Sequence, residues 1–143
     1  MKIVDANVLI YAVNADSPHH QAARKWLDSN LVKPSGVGIP WIVLLAFIRI
    51  VTNPRIMPDP MALDEAMSQV EAWMAMPAAV VVEPSPRHMA LLGSLLRECE
   101  TGSNLVNDAH IAALALDRDA TIISFDRDFA RFTGVRHQVP QVH

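Results

Sequence analysis

Hydrophobic positions along the chain fall into short β-branched runs that alternate with longer stretches of helical periodicity. Lys2–Val4, "GVGIP", "AVVVE" and "ATIIS" predict four strands, and "VRHQVPQVH" adds a candidate edge strand. Between them lie helical segments such as "WIVLLAFIRIVTNP", which Asn53 and Pro54 end. Four alternations of strand and helix predict an α/β fold, with a mainly parallel sheet that helices cover on both faces.

Polar residues at the start of apolar segments predict where the helices begin. Asn7 is placed to cap a short helix over residues 8–13, and Asn107 to cap "DAHIAALAL". Ser17 is the expected N-cap of the next helix, and "SPRHMALLGSLLREC" repeats that Ser-Pro start and ends near Gly102. A last short helix is expected in "FDRDFARF".

Three aspartates stand at the ends of these elements. Asp5 directly follows the first strand, and Asp126 follows the fourth. Asp108 is the first residue inside the helix that Asn107 is expected to cap. Because ligands of open parallel sheets bind beyond the carboxyl ends of the strands, we expect the three carboxylates to converge on one rim of the sheet.

Converging carboxylates repel one another, and a cation placed among them removes that repulsion. Mg²⁺ or Mn²⁺ suits oxygen ligands and substrate phosphate, whereas no Cys/His cluster has the spacing that zinc requires. A metal held in this way activates water and neutralises charge on a phosphodiester. Phosphodiester hydrolysis is therefore the reaction class that the cluster indicates.

Each of these residues also has a structural interpretation. Asp108 is placed as a helix-dipole partner and Asp126 as a turn residue. Asp5 is the strongest candidate for a functional role, because a carboxylate among apolar residues needs a partner. Asp128 is interpreted first as an N-terminal helix residue. The histidines at positions 19, 20 and 110 are interpreted as surface or partly buried residues and not as ligands.

Length and composition describe one globular domain over residues 1–143. Hydrophobic residues make up 51% and charged residues 19% of the chain. No apolar run reaches the ~18 residues of a membrane span, and the N-terminal residues do not resemble a secretory signal. With Cys99 as the single cysteine, no internal disulfide is expected. We therefore expect a cytoplasmic protein without a membrane segment.

The net charge of −3 argues against a general electrostatic nucleic-acid binder, although it leaves room for local basic groups. Nine of the twelve basic residues are arginine, which suits forked contacts to phosphate. A phosphatase or phosphoryl receiver also uses an aspartate after the first strand. Those chemistries usually need a lysine near the phosphoryl group, and Lys2, Lys25 and Lys33 all precede the later strands.

Four segments, in order and at matching spacing, resemble the VapC toxins of the PIN-domain family, particularly their actinobacterial branch. They are "IVDANVLIYA", "GIPWIVLLAFIRIVTNPRI", "GSNLVNDAHIAALAL" and "ATIISFDRDFARFTGV". The resemblance covers nearly the whole chain. It implies a three-layer α/β/α PIN-like sandwich with a mainly parallel sheet of four to five strands. It also implies a homodimer, a Mg²⁺- or Mn²⁺-dependent endoribonuclease, and a VapB-type antitoxin as partner in a type II toxin–antitoxin system.

By position, the resemblance assigns catalytic and metal-binding roles to three acids and supporting roles to two polar residues. Asp5 and Asp108 match the metal-binding acids, and Asp126 matches the acid of "SFDRDF". Ser124 stands where the family has a threonine or serine that supports this acid. Asn7 matches a polar site residue after the first acid.

One feature of the family is missing. Its glutamate on the third helix would fall near Leu45 or Ala46, but no Asp or Glu occurs in residues 29–58. The expected site therefore binds a single Mg²⁺ ion, whose coordination RNA phosphate completes, with Asp128 or water as a further ligand. The alternative is a catalytically impaired RNA- or protein-binding module.

The arginines provide the candidate contacts to substrate phosphate. Arg55 and Arg127 are preferred over Arg49 for this role, and the competing role of each is an ion pair with a surface acid.

Overall fold

A single five-stranded sheet organises the computed structural model, which describes residues 1–99 and 105–141. All neighbouring strands are parallel, and their order is β3-β2-β1-β4-β5. The strands are β1 (Lys2–Val4), β2 (Val37–Pro40), β3 (Ala79–Val82), β4 (Thr121–Ile123) and β5 (Arg136–Gln138). The predicted edge strand is thus confirmed as β5.

Helices cover both faces of this sheet. They are α1 (Ala6–Val13), α2 (His20–Asn30), α3 (Trp41–Val51), α4 (Leu63–Met74), α5 (His88–Glu98) and α6 (Val106–Asp117), with a 3-10 helix over Arg127–Arg131. From β1 the chain moves outward to β2 and β3, then crosses back to β4. Because such crossovers are right-handed, α1–α4 lie on one face and α5 and α6 on the other. The contacts agree, since α1 packs on α2 and α3, and α5 packs on α6. The predicted three-layer α/β/α sandwich is confirmed.

None of the helices in the described ranges has both the length and the apolar character required to cross a membrane.

The centre of the core lies at β1 and β4. Ile3 pairs with Ile122 across these strands, and both side chains are fully buried. On the other side of β1, Ile3 faces Gly38 of β2. A Cβ on Gly38 would overlap Cγ2 of Val82 and lie 3.1 Å from Cγ1 of Ile3. A glycine at this position therefore allows the strands and side chains to pack closely.

Several predicted helix starts were wrong. Asp5, and not Asn7, caps α1, because the Asp5 side chain accepts a hydrogen bond from the Ala6 amide. Helix α6 begins at Val106, with Leu105 as its N-cap residue, so that Asn107 lies inside the first turn. The predicted end at Gly102 lies outside the described residues.

Both Ser-Pro segments precede their helices instead of beginning them. The Ser17 hydroxyl accepts a hydrogen bond from the His19 amide at 3.1 Å, and α2 starts one residue later. The Ser85 hydroxyl accepts one from the Arg87 amide at 3.2 Å before α5 starts. The serine bonds satisfy a turn that leads into each helix.

Candidate active site

The order of the strands reverses between β1 and β4, which is where parallel sheets bind their ligands. The chain leaves the carboxyl ends of these two neighbouring strands at Asp5 and Ser124. The Asp5 amide donates a 2.9 Å hydrogen bond to the Ile123 carbonyl, so that the two strand ends are joined directly.

The hydroxyl group of Ser124 connects two of the predicted acids. It donates to Oδ2 of Asp5 at 2.8 Å and accepts from the Asp126 amide at 3.0 Å. The residue is fully buried. The Ala6 amide donates to the other oxygen of Asp5, Oδ1, at 2.7 Å. These bonds fix the Asp5 carboxylate and the backbone of Asp126 relative to each other.

The side chain of Asn7 completes this network from the first turn of α1. Its Nδ2 donates to the Ser124 hydroxyl at 3.0 Å and to Oδ2 of Asp5 at 3.4 Å. Its Oδ1 accepts from the Phe125 amide at 3.1 Å. The Ser124 hydroxyl thus uses its proton and both lone pairs, and Asn7 ties α1 to the loop that follows β4.

Asp126 caps the 3-10 helix. Its Oδ1 accepts a 2.9 Å hydrogen bond from the Asp128 amide. The Asp128 side chain is exposed and forms an ion pair of 3.4 Å with Arg131. Within the described residues, Asp128 therefore supports Asp126 through its backbone. Its own carboxylate adds negative charge to the neighbourhood.

Asp108 lies in the first turn of α6, where the charges of the other acids act on it. Burial raises its pKa to about 6, and the charges of Asp5, Asp126 and Asp128 add to that rise, while Arg131 opposes it. The negative charges of four aspartates thus converge at this rim of the sheet.

The Asp5 carboxyl is also harder to ionise than a free aspartate. Burial raises its pKa most, and the hydrogen bonds from Ser124 and Ala6 lower it. The charge of Asp126 raises the pKa, and His137 lowers it. Ser124 is thus the group that does most to stabilise the buried carboxylate.

Hard oxygen donors and concentrated negative charge suit a divalent cation at this rim. In residues 1–99 and 105–141, however, no three Asp, Glu, His or Cys side chains form a ready-made set of metal ligands. Helix α3 contains no Asp or Glu. At the two positions where the family has its acid stand Leu45, which is 60% exposed, and Ala46, which is half-buried. Asp5, Asp108 and Asp126 are the carboxylates available to an ion here.

Of the predicted phosphate contacts, Arg127 lies next to the acids. It directly follows Asp126 and is exposed. Arg49 lies in the last turn of α3, and Arg55 lies in the turn after it. Neither of these two makes an ion pair with a described residue. Arg131 was not among the candidates, although its charge reaches Asp108.

Sequence reasoning missed the imidazole of His137. Its Nε2 donates to the Ser124 carbonyl at 2.9 Å, and so places a second polar side chain against the β4 loop. The sequence gives no local signal of this contact, and the structure shows His137 half-buried in β5 between the exposed residues Arg136 and Gln138. A contact to a residue in the neighbouring strand cannot be read from so short a pattern.

An aromatic cluster beside the acids was also missed. The ring of Phe125 stacks on His19, with centroids 4.5 Å apart, and lies 5.3 Å from Tyr11. The other two histidines discussed above are used elsewhere. His20 donates to the Tyr11 carbonyl at 2.8 Å, and His110 shares a 2.8 Å hydrogen bond with the buried His88.

Comparison with known proteins gives consistent matches over nearly the full chain. The family described as PIN domain matches residues 2–135. Ribonuclease VapC37 of Mycobacterium tuberculosis is 50% identical over 140 residues, which are 98% of this chain and 97% of that protein. Ribonuclease VapC31 of the same species is 40% identical over 98% of this chain and 99% of its own length.

Solved structures match as well. VapBC2 from Rickettsia felis, bound to a DNA fragment from its promoter, has a TM-score of 0.73 and 20% identity, with 96% of this chain and 97% of that chain covered. Mycobacterium tuberculosis VapC20, described as a sarcin-ricin loop cleaving toxin, has a TM-score of 0.66 and 20% identity. The match covers 95% of this chain and 99% of that chain. At these identities the likeness establishes the fold.

Proposed function

Because this chain belongs to the PIN-domain family, we propose that it is a metal-dependent endoribonuclease, the toxin of a type II VapBC toxin–antitoxin pair. The observation that carries the proposal is the hydrogen-bonded connection of Asp5, Ser124 and Asp126 where the strand order reverses. The charges of Asp5 and Asp126 also raise the pKa of Asp108. The ribonuclease names of the relatives at 50% and 40% identity support it.

In this proposal Asp5, Asp108 and Asp126 hold one Mg²⁺ or Mn²⁺ ion. The bound ion would supply an acidified water as nucleophile and would neutralise charge on the phosphodiester. Ser124 and Asn7 hold the Asp5 carboxylate in position, and the hydrogen bond from Ser124 opposes the rise of its pKa. Repulsion between the three carboxylates favours keeping them apart, and a shared cation reverses that preference.

The alternative of an impaired binding module was raised by the missing acid of α3. It is not favoured, because the curated relatives carry the name ribonuclease. The same acid-free helix instead supports a site with one ion, in which RNA phosphate oxygens complete the coordination.

A VapB-type antitoxin is the proposed protein partner. The solved structures with this fold include toxin–antitoxin complexes, one of them bound to promoter DNA. A positively charged side chain of such a partner is suited to the acid cluster, because it would neutralise the same charges as the metal.

A second copy of the chain is the other proposed partner. Trp41 and Leu45 lie one turn apart on α3, with 54% and 60% of their surfaces exposed. Apolar side chains exposed on one helix face are typical of an interface. We expect Leu45→Glu to convert a dimer into a monomer in analytical ultracentrifugation, with Met89→Glu, an exposed position on α5, as control.

The decisive test is RNA cleavage by protein freed of antitoxin, with Mg²⁺, with Mn²⁺ and with EDTA. We expect cleavage only with a divalent cation, and a loss of at least ~100-fold in Asp5→Ala and Asp108→Ala, since metal catalysis supplies several kcal/mol. Asp5→Asn preserves the helix cap and separates catalysis from folding. The exposed loop variant Asp59→Asn is the matched control. Full activity of the Asp5 variants would refute the proposal.

A further inference from the structure

A groove of about 730 Å³ runs between α2 and the segment that follows β5. Three basic side chains, Lys25, Lys33 and Arg127, line it, and none of its described lining residues is an Asp or Glu. The chain as a whole has a net charge of −3, so this groove concentrates positive charge on an acidic protein.

The third lysine of the chain, Lys2, contacts residues of the same groove. Nζ of Lys2 is 5.7 Å from the centre of the Trp26 ring and donates to Oδ1 of Asn30 at 3.5 Å, and both of these residues line the groove. Lys2 therefore contacts two of the lining residues, although it does not itself line the groove. Neither Lys25 nor Lys33 makes an ion pair with any described residue, so their charges are free to meet a ligand.

Two residues that line the groove connect it to the loop that follows β4. Arg127 lines it and directly follows Asp126. His137 also lines it, and the same imidazole donates to the Ser124 carbonyl. The groove thus adjoins the loop that carries Asp126, although Asp5, Asp108 and Asp126 do not themselves line it.

We propose that this groove binds the phosphate backbone of single-stranded RNA, with Lys25, Lys33 and Arg127 as its phosphate contacts. The inference rests on the proposed ribonuclease function and names how that site holds its substrate. Lysine supplies a point charge to phosphate without reading a base, so the groove gives affinity and direction but little sequence preference. An acidic protein segment carries similar charge, but the link through Arg127 and His137 to the loop of Asp126 favours the RNA substrate.

The test is the salt dependence of RNA binding. Fluorescence anisotropy would follow a labelled single-stranded RNA of ~12 nucleotides, a length within the usual range of single-strand sites. EDTA in the buffer prevents cleavage. Each phosphate contact to a single strand contributes about 0.7 to the slope of log K against log salt. We expect Lys25→Gln/Lys33→Gln to reduce the slope by ~1.4, and Arg127→Gln to reduce it by ~0.7.

The matched control is Arg24→Gln. Arg24 precedes Lys25 on α2, is exposed and does not line the groove, so the substitution removes the same charge from the same helix. We expect its slope and affinity to equal those of the unmodified chain. A double lysine variant that also binds with an unchanged slope would overturn the inference.

Two further measurements separate this inference from the proposed function. If the unmodified chain cuts no RNA but the lysine variants still lose RNA affinity, the ribonuclease proposal fails and the groove remains an RNA site. If the variants keep RNA binding and cleavage but lose a co-purified antitoxin, the groove is a protein-docking surface and the inference is wrong.

Discussion

The hydroxyl of Ser124 donates a 2.8 Å hydrogen bond to the carboxylate of Asp5, although 119 residues separate them in the chain. Both residues follow neighbouring parallel strands, and the bond forms where those strands end. The same hydroxyl accepts from Asn7 and from the Asp126 amide. One buried oxygen thus sets the relative positions of two of the proposed metal ligands.

Replacing Ser124 with alanine should disturb both stability and activity. Asp5 loses a hydrogen bond that lowers its pKa, and the Asp126 amide loses its acceptor. We expect a loss of roughly 1–3 kcal/mol in the free energy of unfolding, as for buried groups left unpaired. The acidic limb of the pH–rate profile should move to higher pH. Urea unfolding and single-turnover cleavage would measure the two effects.

Ser124→Thr keeps the hydroxyl and serves as the control for this prediction. If Ser124→Ala leaves the pH–rate profile where the threonine variant has it, the hydroxyl does not support the ionised form of Asp5.

Asp108 should make the metal-free protein less stable as pH rises. Its pKa is raised to about 6 from 3.8, so the folded state holds the proton more tightly than the unfolded chain. The stabilisation is complete below the unfolded pKa and is lost as pH rises through about 6. Asp108→Asn cannot ionise and should gain Tm relative to the unmodified chain at high pH. Thermal unfolding in EDTA across this pH range would measure it.

The comparison needs a second aspartate outside the cluster, and Asp59→Asn in an exposed loop provides it. Equal pH dependence of Tm in the Asp108→Asn and Asp59→Asn proteins would show that Asp108 is not the group responsible.

Divalent cations should stabilise the folded chain through the acid cluster. Binding to the folded state alone adds about 2.7 kcal/mol at a roughly 100-fold excess over Kd. We expect Mg²⁺ and Mn²⁺ to raise Tm, and Asp108→Asn to remove most of that rise. Differential scanning calorimetry would measure it without any requirement for activity. An undiminished rise in Asp108→Asn would place the ion elsewhere.

Gly38 and Gly93 should respond in opposite ways to alanine. In the sheet, a Cβ on Gly38 overlaps Val82 and approaches Ile3, so Gly38→Ala should cost roughly 1–3 kcal/mol through overpacking. In α5, a Cβ on Gly93 meets only the flexible end of Arg97 at 3.3 Å, so Gly93→Ala should gain up to about 1 kcal/mol from helix propensity. Chemical denaturation would compare them, and equal effects would contradict the packing argument.

The strands and the alternation with helices could be predicted, because hydrophobic periodicity is local and each buried parallel strand has its own apolar run. Helix starts were less predictable. Asn7, Ser17 and Asn107 belong to residue types that commonly cap helices in proteins. None of the three is the N-cap residue of a helix in this structure. The Asn7 side chain instead forms hydrogen bonds with Ser124 and Phe125 after β4. The residues that surround Asn7 in the sequence do not indicate this distant partner.

The sequence by itself determined the fold class, the family resemblance and the choice of Asp5, Asp108 and Asp126 as candidates, since each follows from local pattern and residue type. Only the tertiary structure decided how they are held. Ser124 reaches Asp5 from the neighbouring strand, and Asn7 and His137 contact the chain after β4 from α1 and β5. In the same way, Lys25 and Lys33 meet Arg127 in one groove, although separate elements of the chain carry them. Burial and charge at a site are sums over neighbours in space, and the order of residues along the chain does not contain those sums.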